Sequence, residues 1–228
     1  MGLLGYTFRT FNRLRHGKGF GVHSPFAYMF IREVLRLPDK YAYYSYHELE
    51  YWHEVSVDEK LGEPLPLKYL KMIFRIGNYF RSSRMLLLGE YDTLLAVAAA
   101  SVSPDTKVCV WDAAGKIKLD PLKNRSERFR QITGDADLHA VLSSFEDGYG
   151  RPTVIINGDS EEIERAVLSD EISRLEPVFI VVRLKQNRRI WNLLMQNYSD
   201  SGMSFANPHV AVMVPDQRLP RQHFNLWI

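Results

Sequence analysis

The sequence is short of nearly everything that would announce a chemistry. Its 228 residues hold one cysteine, Cys109. A single thiol permits no internal disulfide and suits a reducing compartment. No run of about 18 apolar residues occurs, so no helix is expected to cross a membrane. The opening residues form no apolar signal-peptide segment, and Met1-Gly2-Leu3-Leu4-Gly5-Tyr6 lacks the Ser or Thr that a myristoylation signal places sixth. The expected location is the cytoplasm. There is no catalytic triad, CxxC pair, HExxH motif or phosphate-cradling loop. No two of the seven histidines stand at i,i+4, where a helix would aim both at a metal. Repeats and low-complexity segments are absent. The net charge of +2 is too small to imply nucleic acid by itself.

What is present describes an ordinary globular chain, 46% apolar and 25% charged, long enough for one sizeable core and an appendage. The charge is uneven. Arg9, Arg13, Arg15, Lys18 and Arg32 all precede the first acid, Glu33, and Leu4, Phe8, Phe11 and Leu14 interleave at helical spacing. Two readings stand for this basic amphipathic opening. It packs on the body and keeps its arginines in water, or it docks on an anionic surface or an acidic partner. Ser24-Pro25 reads as an N-cap and first helical residue. The tyrosines from Tyr41 to Tyr46 suit half-wet packing against the main domain, or stacking on a ligand. His23 follows a glycine-rich turn and is either a base in a cleft or a histidine bonded to a backbone carbonyl. Residues 1–60 are read as a helical extension packed on one end of an α/β domain that spans 61–228, with Gly62-Glu63-Pro64-Leu65-Pro66 at the boundary.

Beyond that boundary the pattern alternates. Strands are expected at Met85–Leu88, Val108–Asp112, Phe129–Thr133, Thr153–Asn157 and Pro177–Val182, with helices from about Leu67, after Gly89, and from Asp137, Ser160 and Gln186. The chain ends in β structure alone: Met203–Ala206, Val210–Val214 and Phe224–Ile228. Apolar strands alternating with helices imply a largely parallel sheet covered on both faces. Asn207-Pro208-His209 between two of the last strands implies a hairpin. At the edge of the sheet, Arg183, Lys185, Arg188 and Arg189 follow a strand and open a helix. Cations there oppose the helix dipole, so an acidic ligand or nearby acids such as Asp159 and Glu161 are needed to offset them, or else they are solvated.

Four outer strings carry a resemblance: Arg15-His16-Gly17 with Gly21-Val22-His23-Ser24-Pro25-Phe26, Tyr43-Tyr44-Ser45-Tyr46, Phe74 to Phe80, and Arg221-Gln222-His223-Phe224. Together with the terminal hairpin they resemble bacterial S-adenosylmethionine-dependent methyltransferases of the O-methyltransferase type, in the subgroup that opens "HG…GVHSPF". The resemblance covers most of the chain. It implies a Rossmann-like, doubly wound, seven-stranded sheet of class I methyltransferase type, in the order 3-2-1-4-5-7-6 with strand 7 antiparallel. In our reading the strand near Phe224–Ile228 also runs antiparallel to its neighbours.

The inner motifs depart from that family. Where its first turn reads "ELGTSLGIST", this chain has Leu87-Leu88-Gly89-Glu90-Tyr91-Asp92-Thr93. Leu87 replaces an acid, and Thr93 replaces a glycine that lets backbone approach a cofactor. Tyr91 adds bulk where the methionine part of the cofactor lies. The resemblance makes Gly89, Glu90, Tyr91, Asp112 and Asn157 vestigial cofactor positions. Asp112 either bonds the ribose hydroxyls or caps a turn, and Asp137 either sits beside the adenine, with Asp135, or is the N-cap of its helix. The family's acids at two further strand ends are replaced by Asn157, Val182 and Arg183. Those positions hold a divalent cation in metal-assisted relatives, so no metal is expected here. An anion at Arg183 and Lys185 is expected instead. His23 is the one weak catalytic candidate. The functional expectation is a methyltransferase-like protein with lost or altered catalysis that binds a ligand or partner. The alternatives are an active, metal-independent methyltransferase and a scaffold docked through its basic N-terminal segment.

Overall fold

Met85 to Leu88 are four consecutive apolar residues, and all four are buried. Side chains alternate across a strand, so a run of this kind needs apolar cover on both faces. The computed structural model supplies it. The model describes residues 24–36, 44–58, 65–90, 92–111, 128–132, 135–145, 147–198, 200 and 202–226. Among them, the strand β1 (Arg84–Gly89) is an interior strand of an eight-stranded sheet with β2 (Lys107–Trp111), β3 (Phe129–Ile132), β4 (Thr153–Asn157), β5 (Val178–Val181), β6 (Met203–Ala206), β7 (Ala211–Val214) and β8 (Gln222–Asn225). Its order is 3-2-1-4-5-7-6-8. The pairings from β3 through β5 are parallel, and β7 is antiparallel to both β5 and β6.

The expected order therefore holds, with two corrections: the sheet has eight strands rather than seven, and the direction of the last one differs. The last strand is Gln222–Asn225, and it runs parallel to β6 at the sheet edge. The reason is where the chain is delivered. β7 ends with Val214 opposite Met203, at the start of β6, and Met203 is also opposite Gln222. The link between β7 and β8 closes on itself through Leu219 N donating to Asp216 O at 2.9 Å. The chain thus re-enters the sheet at the end where β6 begins and has to run the same way.

Met85, Leu87, Val108, Val110, Ile155, Ile180 and Phe205 share one core with α1 (Pro25–Met29), the π-helical turn that continues it (Phe30–Leu35), α2 (Tyr44–Asp58), α3 (Leu67–Tyr79) and α4 (Thr93–Ala100). Leu86, Leu88, Cys109, Trp111, Ile156 and Val181 face a second core with α5 (Asp135–Phe145), α6 (Glu161–Val167), α7 (Asp170–Leu175) and α8 (Arg188–Asn197). α4 is apolar all round after Thr93 and every residue from Leu94 to Ala100 is buried, as a central helix must be. α5 instead buries Leu138, Val141, Leu142 and Phe145, one stripe at helical spacing. It begins at Asp135, so Asp137 lies inside its first turn and is not its N-cap. The side chains of Asp135 and Asp137 lie outside the described residues.

The N-terminal helices that are described rest on the first core. Ser24 Oγ accepts from Ala27 N at 3.3 Å, with Pro25 opening the helix. Phe30 is wholly buried and its ring lies 5.0 Å from Phe205 and 5.7 Å from Phe80. Burying one such ring stabilises by about 1.5–3 kcal/mol. Arg75, on α3, donates to the carbonyls of Val34 at 2.5 Å and Leu35 at 3.3 Å, and to the Tyr46 hydroxyl at 3.0 Å. It meets orphan carbonyls at the end of the π-helical turn. Among the described residues no helix is long and apolar enough to cross a membrane.

Candidate functional site

In an open α/β sheet the ligand edge is the carboxyl end of the parallel strands. β1 ends here at Gly89, directly opposite Asn157 at the end of β4. Gly89 has φ +104°, and a Cβ on it would meet Asn157 O at 2.5 Å. Only glycine fits that contact and that backbone. Past the last paired residues, Glu90 N donates to Asn157 O at 2.7 Å, and Asn157 Nδ2 donates to Glu90 O at 2.8 Å. The two strand ends are stitched together where a crevice would otherwise open.

Asp92 closes the same edge from the helix side. It is the N-cap of α4, and its Oδ1 accepts from Leu94 N at 2.9 Å and Leu95 N at 3.3 Å. Its Oδ2 accepts from Arg183 Nη2 at 2.8 Å. Arg183 Nη1 reaches Asn157 Oδ1, also at 2.8 Å. One guanidinium thus spans from the helix after β1 to the end of β4, starting from the residue that follows β5 by two. The side chains of Arg183 and Asp92 are 24% and 12% exposed, so the pair is mostly withdrawn from water. Arg183 also has φ +48°. A non-glycine residue held in the left-handed region stores about 1–2 kcal/mol of strain. Its carbonyl accepts from Gln186 N at 2.8 Å and Asn187 N at 3.1 Å, which helps to hold it there.

A helix N-terminus at this position is an anion site, because its free amides and dipole both favour negative charge. In this protein the chain's own carboxylate, Asp92, takes those amides. The anion expected at Arg183 is likewise met internally, by the other oxygen of Asp92. A cofactor that needs the helix amides and the crevice has to displace both, so these residues do not fit one as they stand.

The other expected residues fall as follows. Glu90 and Lys185 are exposed, and Leu87 is buried in the first core. Thr93 is the first residue of α4. Ser160 is the N-cap of α6, accepting from Ile163 N at 3.4 Å. Arg189 donates to Asp159 at 2.9 Å and Glu164 at 2.8 Å, and the hydrogen bond to Asp159 holds its guanidinium above the usual range. Nearby acids therefore offset Arg189, with Glu164 in the paired role expected of Glu161, while Arg188 is exposed. His23, Tyr91 and Asp112 lie outside the described residues. Among the described residues no three His, Cys, Asp or Glu side chains converge as metal ligands. His223, from the outer Arg221–Phe224 string, bonds Ser204 at 2.8 Å while Phe224 stacks on Phe205, so that string packs β8 onto β6.

Sequence reasoning missed Asp92. Its local signal was there: an Asp directly before an apolar helical run is an N-cap pattern. The bond to Arg183, 91 residues away, has no local signal.

No family model matches the chain, and no curated protein matches it. Solved structures do. A candidate caffeoyl-CoA O-methyltransferase from Staphylococcus aureus superposes with a TM-score of 0.55 at 12% identity, over 74% of this chain and 92% of that one. A methyltransferase from Geobacter sulfurreducens gives 0.51 at 12% identity, over 78% and 91%. An SAH-bound methyltransferase of Podospora anserina gives 0.52 at 11% identity, over 79% and 89%. Identities this low show fold alone, and the fold of this chain is the mixed α/β, Rossmann-like sheet of the class I methyltransferases.

Proposed function

We propose that this chain is a methyltransferase-fold protein whose catalysis is lost or altered, and that it works by binding a ligand or partner. The observation that carries the reading is the Arg183 guanidinium bonded to both Asp92 and Asn157 across the ends of β1, β4 and β5. The methionine half of S-adenosylmethionine is a zwitterion that needs close backbone approach and a free helix N-terminus. Asp92 presents a carboxylate to that end of it, and leaving a charged group unpaired there costs on the order of 1–3 kcal/mol or more. A divalent cation has no place at this edge either, since a guanidinium repels it and Val182 offers it no side-chain oxygen. The test is calorimetric titration of the full chain with S-adenosylmethionine. No saturable heat is expected at micromolar cofactor, and a micromolar dissociation constant overturns the reading.

A second reading, an active metal-independent methyltransferase, draws on one observation. Gly89 keeps a positive φ of +104° at the end of β1, and a protein of like fold is SAH-bound. In that case Glu90, exposed beside Gly89, contacts the cofactor's amine. Changing Glu90→Ala then weakens a measurable affinity, whereas under the first reading there is no affinity to weaken.

A further inference from the structure

The structure assigns a second site at the opposite edge of the sheet: we propose that the cavity at the amino ends of β1, β2 and β3 binds a small phosphorylated molecule. Its volume is about 430 Å³, and among the described residues it is lined by Arg84, Lys107, Arg128 and Arg130 against one carboxylate, Asp147. That volume lies within the roughly 300–1,000 Å³ typical of small-molecule sites.

The cation row follows from strand register. Arg84 is directly opposite Lys107, and Cys109 is directly opposite Arg130, on adjacent parallel strands. Lys107 and Cys109 are two apart on β2, so all four share one face of the sheet. The Cys109 thiol lies on the cavity wall within the field of all three cations. Its burial outweighs that field and pushes the thiol up to about 11. It is therefore a wall and a sensor rather than a nucleophile.

Rival uses for the positive charge account for only part of it. Arg128 does have one, donating to the carbonyls of Ala100 at 3.0 Å and Ser103 at 3.1 Å, at the end of α4 and just past it. Among the described residues Arg84 donates only to its neighbour's carbonyl, Ser83 O, at 3.1 Å. Among the described residues no ion pair reaches Lys107 or Arg130, and both are exposed. The C-terminus of α5 at Phe145 adjoins the cavity, but a helix end carries only about half a negative charge. Among the described residues, half a charge and Asp147 do not balance Arg84, Lys107 and Arg130. That described surplus is positive and gathered at three strand ends, with Phe129 and Phe145 beside it for the organic part of a ligand. A phosphoryl group offers the matching acceptors, since arginine binds it bidentately and lysine as a point charge. A nucleic acid would want a longer basic track than this cavity provides. The inference is independent of the Arg183 edge and stands or falls without it.

The test uses the full chain and inorganic pyrophosphate as the probe, read by calorimetry and by the rate at which a thiol reagent modifies Cys109, the only cysteine in the chain. Saturable binding is expected, with a dissociation constant below about 1 mM. Bound pyrophosphate should slow Cys109 modification. Lys107→Ala/Arg130→Ala removes two exposed side chains and should fold normally by circular dichroism while binding about tenfold more weakly per cation lost. Three results overturn the proposal: no saturation up to about 10 mM, equal affinity in the double variant, or saturation without protection of Cys109. An affinity for single-stranded oligonucleotides that rises with their length would also overturn it, replacing a small ligand with a polymer.

Discussion

Replacing Arg183 with alanine removes two bonds of 2.8 Å, one to Asp92 and one to Asn157. Hydrogen bonds to charged groups contribute about 1.5–3 kcal/mol each. The guanidinium is 24% exposed, so water recovers part of both, and a loss of about 2–3 kcal/mol is the discounted expectation. Alanine keeps the left-handed strain at φ +48°, whereas glycine relieves about 1 kcal/mol of it. Arg183→Gly should therefore be the milder variant by that amount, which separates the side-chain bonds from the backbone. Urea unfolding is the assay, because a shifted midpoint with an unchanged slope reports stability alone. A double-mutant cycle with Asp92→Asn, which keeps the helix cap but drops the charge, should give a coupling of about 1–2 kcal/mol. Arg183→Ala within about 0.5 kcal/mol of the parent, or a cycle that closes to zero, would refute the claim that this residue holds the edge shut.

Three further outcomes follow from the geometry. Gly89→Ala places a Cβ 2.5 Å from Asn157 O at φ +104°, and should cost about 2–4 kcal/mol in the same urea assay. Arg75→Met leaves the carbonyls of Val34 and Leu35 without their donor, which should cost about 2–3 kcal/mol and speed amide exchange through the described part of 24–58 before the sheet responds. The hydrogen bond from Arg218 lowers the Asp216 carboxyl to about 2. The stability it contributes is complete above an unfolded value of about 4 and is lost as pH falls from there toward 2, so Asp216→Asn should flatten that limb of the stability curve.

How much of this was legible depends on how local the cause was. The apolar runs at Thr153–Asn157 and Met203–Ala206 are bounded by turn residues, and both strands begin and end where the pattern placed them. Ser24 and Pro25 carry their helix start in two adjacent residues. The direction of β8 had no such signal, because it follows from where β7 ends in space. The π-helical turn after Met29 was hidden too, since Phe26, Phe30 and Val34 fit an α period as well. At the ligand edge, the replaced acids were visible one by one. Two of the replacements, Asn157 and Arg183, were visible only as types, and their third partner, the N-cap Asp92, was missed; all three lie far apart in the chain. That the three bond one another is a property of the folded sheet.

The most direct measurement is a crystal structure of the protein grown with S-adenosylhomocysteine in large excess. The account predicts that the Arg183 guanidinium stays bonded to Asp92 and Asn157, with no cofactor against Gly89. A cofactor lying along the end of β1, with Arg183 swung away from Asp92, would contradict it.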